Sequence, residues 1–348
     1  MSWGLVQLCL GYFFFYVLTG LSVKYFTGKP ELGFLGQNDV EYLLYSTTVA
    51  SLLCVAVVLF QGWHKRAEWR GWRPLLPILV SGVCTAFIIP STTLIYSQPL
   101  SVMIAMVLMR AGVLIVSRLV DLILQLQGLN HRKVLWLENA AVALAILSLS
   151  LQAGASLLTQ GGAEKHFAFL QSPVVMGLLG FYLLAYFLRI YIMNWFKSVD
   201  PAGARVDNKA FFGIEQLAAS GTMLVAAALL YAWGRGALDP ATFSGRLVLA
   251  LQDPHPRWLL AAGSGAFYGM VAFFSVFIFM LRGRSATFAG LANRLTSLLA
   301  GTTATLVGCT LFGTPWPSLV DWASFLLIML AVLLLAAAEQ RHAGAAKA

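Results

Sequence analysis

The stretch Leu100–Leu126, LSVMIAMVLMRAGVLIVSRLVDLILQL, decides the fold. As a helix rising 1.5 Å per residue it is long enough to cross a hydrocarbon core about 30 Å thick. Arg110 interrupts it near the middle. An arginine at the bilayer centre costs about 2.5–3.5 kcal/mol on insertion scales, so a functional role is its default reading. A second arginine, Arg294, stands in the comparable stretch Ala286–Phe312.

The rest of the chain has the same character. Hydrophobic residues make up 59% of it and charged residues 11%, which places it among integral membrane proteins. Windows of about 20 apolar residues give ten spans. They run Trp3–Phe26, Val40–Gly62, Pro74–Tyr96, Leu100–Leu126, Leu135–Leu158, Pro173–Phe196, Ala210–Trp233, Trp258–Leu281, Ala286–Phe312 and Leu319–Ala338. Nothing is left for a folded soluble domain. The first span lacks a basic lead-in and is too long for a signal-peptide core, so it reads as a retained helix.

The loops test this map. Lys65, Arg66, Arg70, Arg73, Arg132, Lys133, Lys197, Arg205, Lys209, Arg282, Arg284, Arg341 and Lys347 fall on one side, which makes 13. Lys24, Lys29, Lys165, Arg235, Arg246 and Arg257, which makes 6, fall on the other. The positive-inside rule then puts both termini in the cytoplasm, as ten spans require. The net charge of +9 is mostly this bias, and no nucleic-acid partner is implied. Inner or plasma membrane is the favoured location, with an endomembrane as the alternative. The four cysteines, Cys9, Cys54, Cys84 and Cys309, have no metal or redox spacing. The five histidines map to loops and the tail.

The halves of the chain resemble each other. Leu10-Gly11-Tyr12 matches Leu179-Gly180-Phe181 at an offset of 169. Arg73-Pro74-Leu75-Leu76 matches Arg257-Trp258-Leu259-Leu260 at 184, and the same offset carries Arg110 onto Arg294. Residues 1–160 and 161–348 then form two five-helix repeats of one transmembrane domain. Five is odd, so the repeats are inverted, and their interface would hold a site near the midplane with alternating access. Gly265 and Gly269, Gly177 and Gly180, and Gly301 and Gly308 suit close helix packing. Pro77, Pro90 and Pro99 mark helix kinks or helix ends.

Six ionisable residues lie within spans: Arg110, Arg118, Asp121, Arg189, Glu215 and Arg294. Arg118 and Asp121 are spaced to pair at i,i+3. Arg189 either snorkels or lines a vestibule. Glu215 either pairs with an arginine or couples transport to protons. Arg110 and Arg294 are too deep to snorkel, and a guanidinium fork suits phosphate or carboxylate. Tyr12, Tyr16, Tyr182, Tyr186, Tyr268 and Asn293 are the candidates to complete the site, with tyrosines on the first and sixth spans placed to stack on a base or sugar.

This pattern resembles the drug/metabolite transporter superfamily, in particular its nucleotide-sugar-transporter-like branch. The resemblance is carried by ten short spans in two halves, cytoplasmic termini and the run Ser101–Arg110 followed by Ser117-Arg118-Leu119. In that branch the corresponding helices carry buried basic residues, usually lysine, and Arg110 and Arg294 occupy those positions. The resemblance implies a secondary transporter, without a cofactor, for a small anionic solute such as a nucleotide or nucleotide-sugar. Its partners would be that substrate and the lipid bilayer, with a homodimer allowed. Drug, amino-acid or lipid-intermediate carriage within the same superfamily is the alternative, as is an anion channel. An enzyme is not expected. Ser264 lies in a glycine-rich segment, but an intramembrane serine nucleophile needs a base on a later span, and the only later histidine is His342 in the tail.

Overall fold

The computed structural model describes residues 3–66, 75–98, 100–129, 135–158, 172–199, 208–236, 239–280 and 286–345. Several residues of the charge and repeat readings lie outside them: Arg70, Arg73, Pro74, Pro99, His131, Arg132, Lys133, Lys165, His166, Arg205, Arg282, Arg284 and Lys347. So does the boundary at residues 160 and 161.

Among the described residues the regular structure is entirely helical. The helices are α1 (Trp3–Thr27), α2 (Asp39–Phe60), α3 (Leu75–Ser97), α4 (Val102–Leu126), α5 (Trp136–Leu158), α6 (Pro173–Val199), α7 (Asn208–Gly234), α8 (Phe243–Gln252), α9 (Trp258–Met280), α10 (Ala286–Phe312) and α11 (Leu319–Ala345). Nine of them are long and apolar enough to cross a bilayer, and α5 is apolar over the shorter stretch Trp136–Gln152. The protein is therefore an all-α, multi-pass membrane protein. A helix stands at each of the ten expected positions.

The short helix α8 is the element that periodicity missed. Ten residues are too few for a span, and Thr242 starts it by accepting a hydrogen bond from Gly245 N. Its place explains the two sequence offsets. Helices α1 and α6 begin 170 residues apart, and α2 and α7 begin 169 apart. Beyond α8 the spacing is 183 for α3 and α9, 184 for α4 and α10, and 183 for α5 and α11. Arg110 and Arg294 are each the ninth residue of their helix.

The chain forms two compact units, each drawing on both halves of the sequence. The first comprises Met1–Val17, Gln98–Leu183 and Phe274–Ala348. Helix α4 is the most enclosed of the nine bilayer-length helices, with 78% of its apolar window buried and every residue from Val102 to Leu114 buried. Ser101 caps its start by accepting from Ile104 N, and Gly128, at φ 70°, supplies the left-handed turn that ends it. Helices α4 and α10 are antiparallel: Met103 N donates to Thr305 Oγ1 at 2.9 Å, and one turn on Met106 lies against Gly301. Helices α5 and α11 are antiparallel too. Small residues Ala141, Ala145 and Ser148 let their backbones approach, and Ser148 and Ser324 each donate to the other's carbonyl, at 3.0 and 3.4 Å.

The second unit comprises Leu18–Ser97 and Leu184–Phe273. Here the expected GxxxG is a true crossing point. A Cβ on Gly265 would strike the Ser46 carbonyl, and one on Gly269 would come within 3.2 Å of Ala50 O, so α9 lies backbone against α2. Gly82 does the same for α3 against α7, at Glu215 and Ala218. Gly177 and Gly180 of α6, by contrast, are exposed with no neighbour near a built Cβ, so spacing alone did not identify packing glycines. Helix α8 is fastened to α2 by the Arg246–Asp39 ion pair (2.7 Å) and by Tyr45 donating to Ala250 O (2.6 Å). Just beyond α8, His255 N donates to Glu41 Oε1 at 2.7 Å.

Pro90 does not end α3 but lies inside it. Around it, Ser91, Thr92 and Thr93 donate their hydroxyls to the carbonyls of Phe87, Ile88 and Ile89, at 2.8, 2.8 and 3.5 Å. Pro90 has no N–H to give the Ala86 carbonyl, and the three hydroxyls that follow it bond carbonyls one turn back in the same helix.

Candidate functional site

Helix α4 carries Arg110 about 12 Å from its first residue, at 1.5 Å per step. The residue is 8% exposed. Burying a guanidinium to this extent requires polar company. Tyr16 provides some of it, with its hydroxyl 3.4 Å from Arg110 Nη2. Tyr16 and Tyr12 are four apart on α1, so they share a face, and their rings meet edge to face at 5.2 Å. Tyr12 then donates to Asn293 Oδ1 at 3.2 Å, and Asn293 Nδ2 donates to Ser275 Oγ at 2.7 Å. A polar chain thus runs from α4 across α1 to α10 and the end of α9, all within the first unit.

Arg294 follows Asn293 on α10 and donates to Ser117 Oγ at 3.2 Å. The Ser117 proton goes to Val113 O (2.7 Å), so its oxygen is the acceptor. Ser117 lies two turns along α4 from Arg110, about 10 Å by helical rise. Both arginines therefore address one stretch of α4. Room for the aromatic layer comes from Gly11, where the Phe274 ring occupies the space a side chain would fill and stacks on Phe15 at 5.7 Å.

Arg110, Arg294, Tyr12, Tyr16 and Asn293 are thus brought together, and Tyr182 is buried in the same unit. Tyr186, Tyr268, Arg189 and Glu215 belong to the second unit. Glu215 pairs with Arg189, accepting from Nε at 2.8 Å and from Nη2 at 2.9 Å. It also accepts from Ser81 Oγ at 2.6 Å and Thr85 Oγ1 at 3.2 Å. Four donors around one carboxylate offset the loss of water at a side chain only 3% exposed. The cluster ties α6, α7 and α3 together. Arg118 donates to Asn139 Oδ1 on α5 at 3.3 Å.

Ser275, Ser81 and Thr85 were not singled out from sequence, and Ser117 figured there only in the run with Arg118 and Leu119. A lone hydroxyl in a membrane span usually bonds its own helix. Only Ser81 and Thr85 left a trace, as two hydroxyls one turn apart on α3. Among the described residues no cluster of three His, Cys, Asp or Glu side chains could hold a metal ion.

No protein-family model and no curated protein matches the chain. A solved structure, described only as "Crystal structure of protein", is similar over 98% of this chain and 99% of that one, with a TM-score of 0.51 and 18% identity. At that identity the likeness is one of fold.

Proposed function

We propose that this protein is a secondary transporter of a small anionic organic solute, such as a nucleotide or nucleotide-sugar, working by alternating access. The observation that carries the reading is the buried chain Arg110–Tyr16–Tyr12–Asn293–Ser275, with Arg294 on Ser117 beside it. Guanidinium donors fixed among phenol, amide and hydroxyl groups, with apolar walls, are what phosphate or carboxylate recognition requires. The tyrosine faces suit a base or sugar attached to that anion.

Two five-helix repeats support the transport side of the proposal. The matched helix starts, with α8 as the single insertion, speak for a duplicated chain. The antiparallel runs of α4 against α10 and α5 against α11 are what inversion requires of repeat mates. Membership of the drug/metabolite transporter superfamily, with both termini cytoplasmic, is the proposal most consistent with the resemblance in α4.

The test is uptake into proteoliposomes, preceded by a thermal-shift screen of nucleotides, nucleotide-sugars, sugar phosphates, amino acids and cationic drugs. One phosphorylated class should raise the melting temperature by mass action. Arg110→Ala and Arg294→Ala should abolish both that shift and uptake while the protein stays folded. Full activity in both variants would sink the site. Stabilisation by cations or neutral solutes alone would make the arginines structural.

A further inference from the structure

One turn beyond Ser148, the contact between α5 and α11 buries a carboxylate. Gln152 of α5 donates its amide Nε2 to Asp321 Oδ1 at 3.2 Å. Ser318 N donates to Asp321 Oδ2 at 2.8 Å, and Asp321 N to Ser318 Oγ at 3.2 Å, the reciprocal cap that starts α11. Both side chains are sealed within the first unit, Gln152 at 0% exposed and Asp321 at 2%.

Capping alone does not account for this arrangement. Glu138 is the third residue of α5, as Asp321 is of α11, and it accepts from Leu135 N at 3.3 Å while staying partly exposed. Asp321 is enclosed, and a glutamine from another helix is turned onto it. Each of its oxygens accepts from an N–H, which suits the ionised form. Yet among the described residues no lysine, arginine or histidine pairs with it. Glu215, as deeply buried in the second unit, is met by Arg189. The halves of α4, α5 and α10 at this end contain one other titratable group among the described residues, Cys309, whose thiol donates to Pro315 O.

Gln152 supplies a second observation. With Nε2 committed to the carboxylate, its Oε1 lies buried without a hydrogen-bond partner among the described residues. A water could bond Oε1, and the second amide hydrogen or the Ser318 hydroxyl could donate to that water. Hydrogen bonding therefore does not choose between a water and an ion. Charge does. A water leaves the ionised carboxylate uncompensated away from solvent, a cost that the partial charge of one helix N-terminus offsets only in part.

We propose that the Asp321–Gln152 contact is a binding site for a monovalent alkali cation, with the carboxylate as counter-charge and Gln152 Oε1 as a neutral ligand. One carboxylate balances one positive charge. Oxygen ligands of this kind replace the hydration shell of such ions within helical bundles.

The experiment needs no transport substrate, so its outcome is independent of the anion-carrier reading. Purified protein is melted in NaCl, KCl or choline chloride at one pH and one ionic strength, so that chloride and screening stay constant. Na+ or K+ should raise the melting temperature saturably, by about 2–4 °C at tenfold excess over its dissociation constant, and choline should not. The two salts distinguish which ion is held. Asp321→Asn keeps the shape and an acceptor for Ser318 N. It should abolish the response while melting in choline no lower than the wild type. Gln152→Leu should move the midpoint of the response to at least about tenfold higher salt. Glu138→Gln, at the equivalent cap of α5, should keep the response in full. Identical melting of the wild type in all three salts would overturn the site, as would an undiminished response in Asp321→Asn or in Gln152→Leu.

Discussion

The ion pair between Arg189 and Glu215 allows a quantitative test of how the second unit is held together. Glu215→Gln keeps the shape and an acceptor for Ser81 and Thr85, but it leaves the guanidinium without a counter-charge. Removing one partner of a buried pair costs about 3–5 kcal/mol. Arg189 is 21% exposed along its side chain, so water recovers part of that loss and the lower end, about 3 kcal/mol, applies. Arg189→Met strands a carboxylate that is only 3% exposed and should cost more, about 4 kcal/mol. In the double variant a neutral amide faces an apolar side chain, the uncompensated charge is gone, and most of the loss should be restored. The coupling in this cycle should exceed about 2 kcal/mol. Unfolding in mixed detergent micelles, followed by far-ultraviolet circular dichroism, measures all four proteins. Ordinary hydrogen bonds between membrane helices couple by about 0.6 kcal/mol on average. A coupling no larger than that, or a milder effect of Arg189→Met than of Glu215→Gln, would refute the reasoning.

Other consequences are simpler to check. Gly265→Ala drives a methyl group into the Ser46 backbone and should destabilise the protein by at least about 2 kcal/mol, whereas Gly263→Ala, with open space around it, should be nearly neutral in the same assay. Tyr16→Phe removes a long 3.4 Å contact to Arg110, so it should weaken binding of a stabilising anion only about threefold in a titrated thermal shift. Ser148→Ala removes a 3.0 Å bond and should cost about 1 kcal/mol, while Ser324→Ala removes the separate, longer bond of 3.4 Å and should cost less.

Much of this fold was legible because the bilayer imposes its own grammar. A span must be apolar for about 20 residues, so ten helices could be placed within three residues of where they lie, except that α11 runs on from Ala338 to Ala345. Helix α8 escaped because a ten-residue helix outside the spans answers to local capping and to its ion pair with Asp39, neither of which has a periodic signature. For Pro90 the sequence allows a kink or a helix end, and only the structure places it inside α3. At the site, depth in the span singled out Arg110 and Arg294, and helical spacing put Tyr12 and Tyr16 on one face. Which tyrosines join the arginines was not legible. Tyr186 is one turn from Tyr182 on α6, yet the two fall in different compact units. Nor could sequence choose the partner of Glu215, since that depends on how α6, α7 and α3 come together.

The hydroxyls around Pro90 also set the mechanical character of α3. An ordinary transmembrane helix resists bending because each opened carbonyl would face lipid unsatisfied. Here three consecutive carbonyls have a second donor on a short, rotatable arm, and that donor can follow the oxygen as the turn opens. With the N–H of Pro90 missing and these second donors beside it, this turn is where α3 bends at least cost. Thr93, one of those three donors, also lines a small cavity of the second unit with Tyr42, Ser46 and Ser264, so a bend at this turn would shift a hydroxyl in its wall.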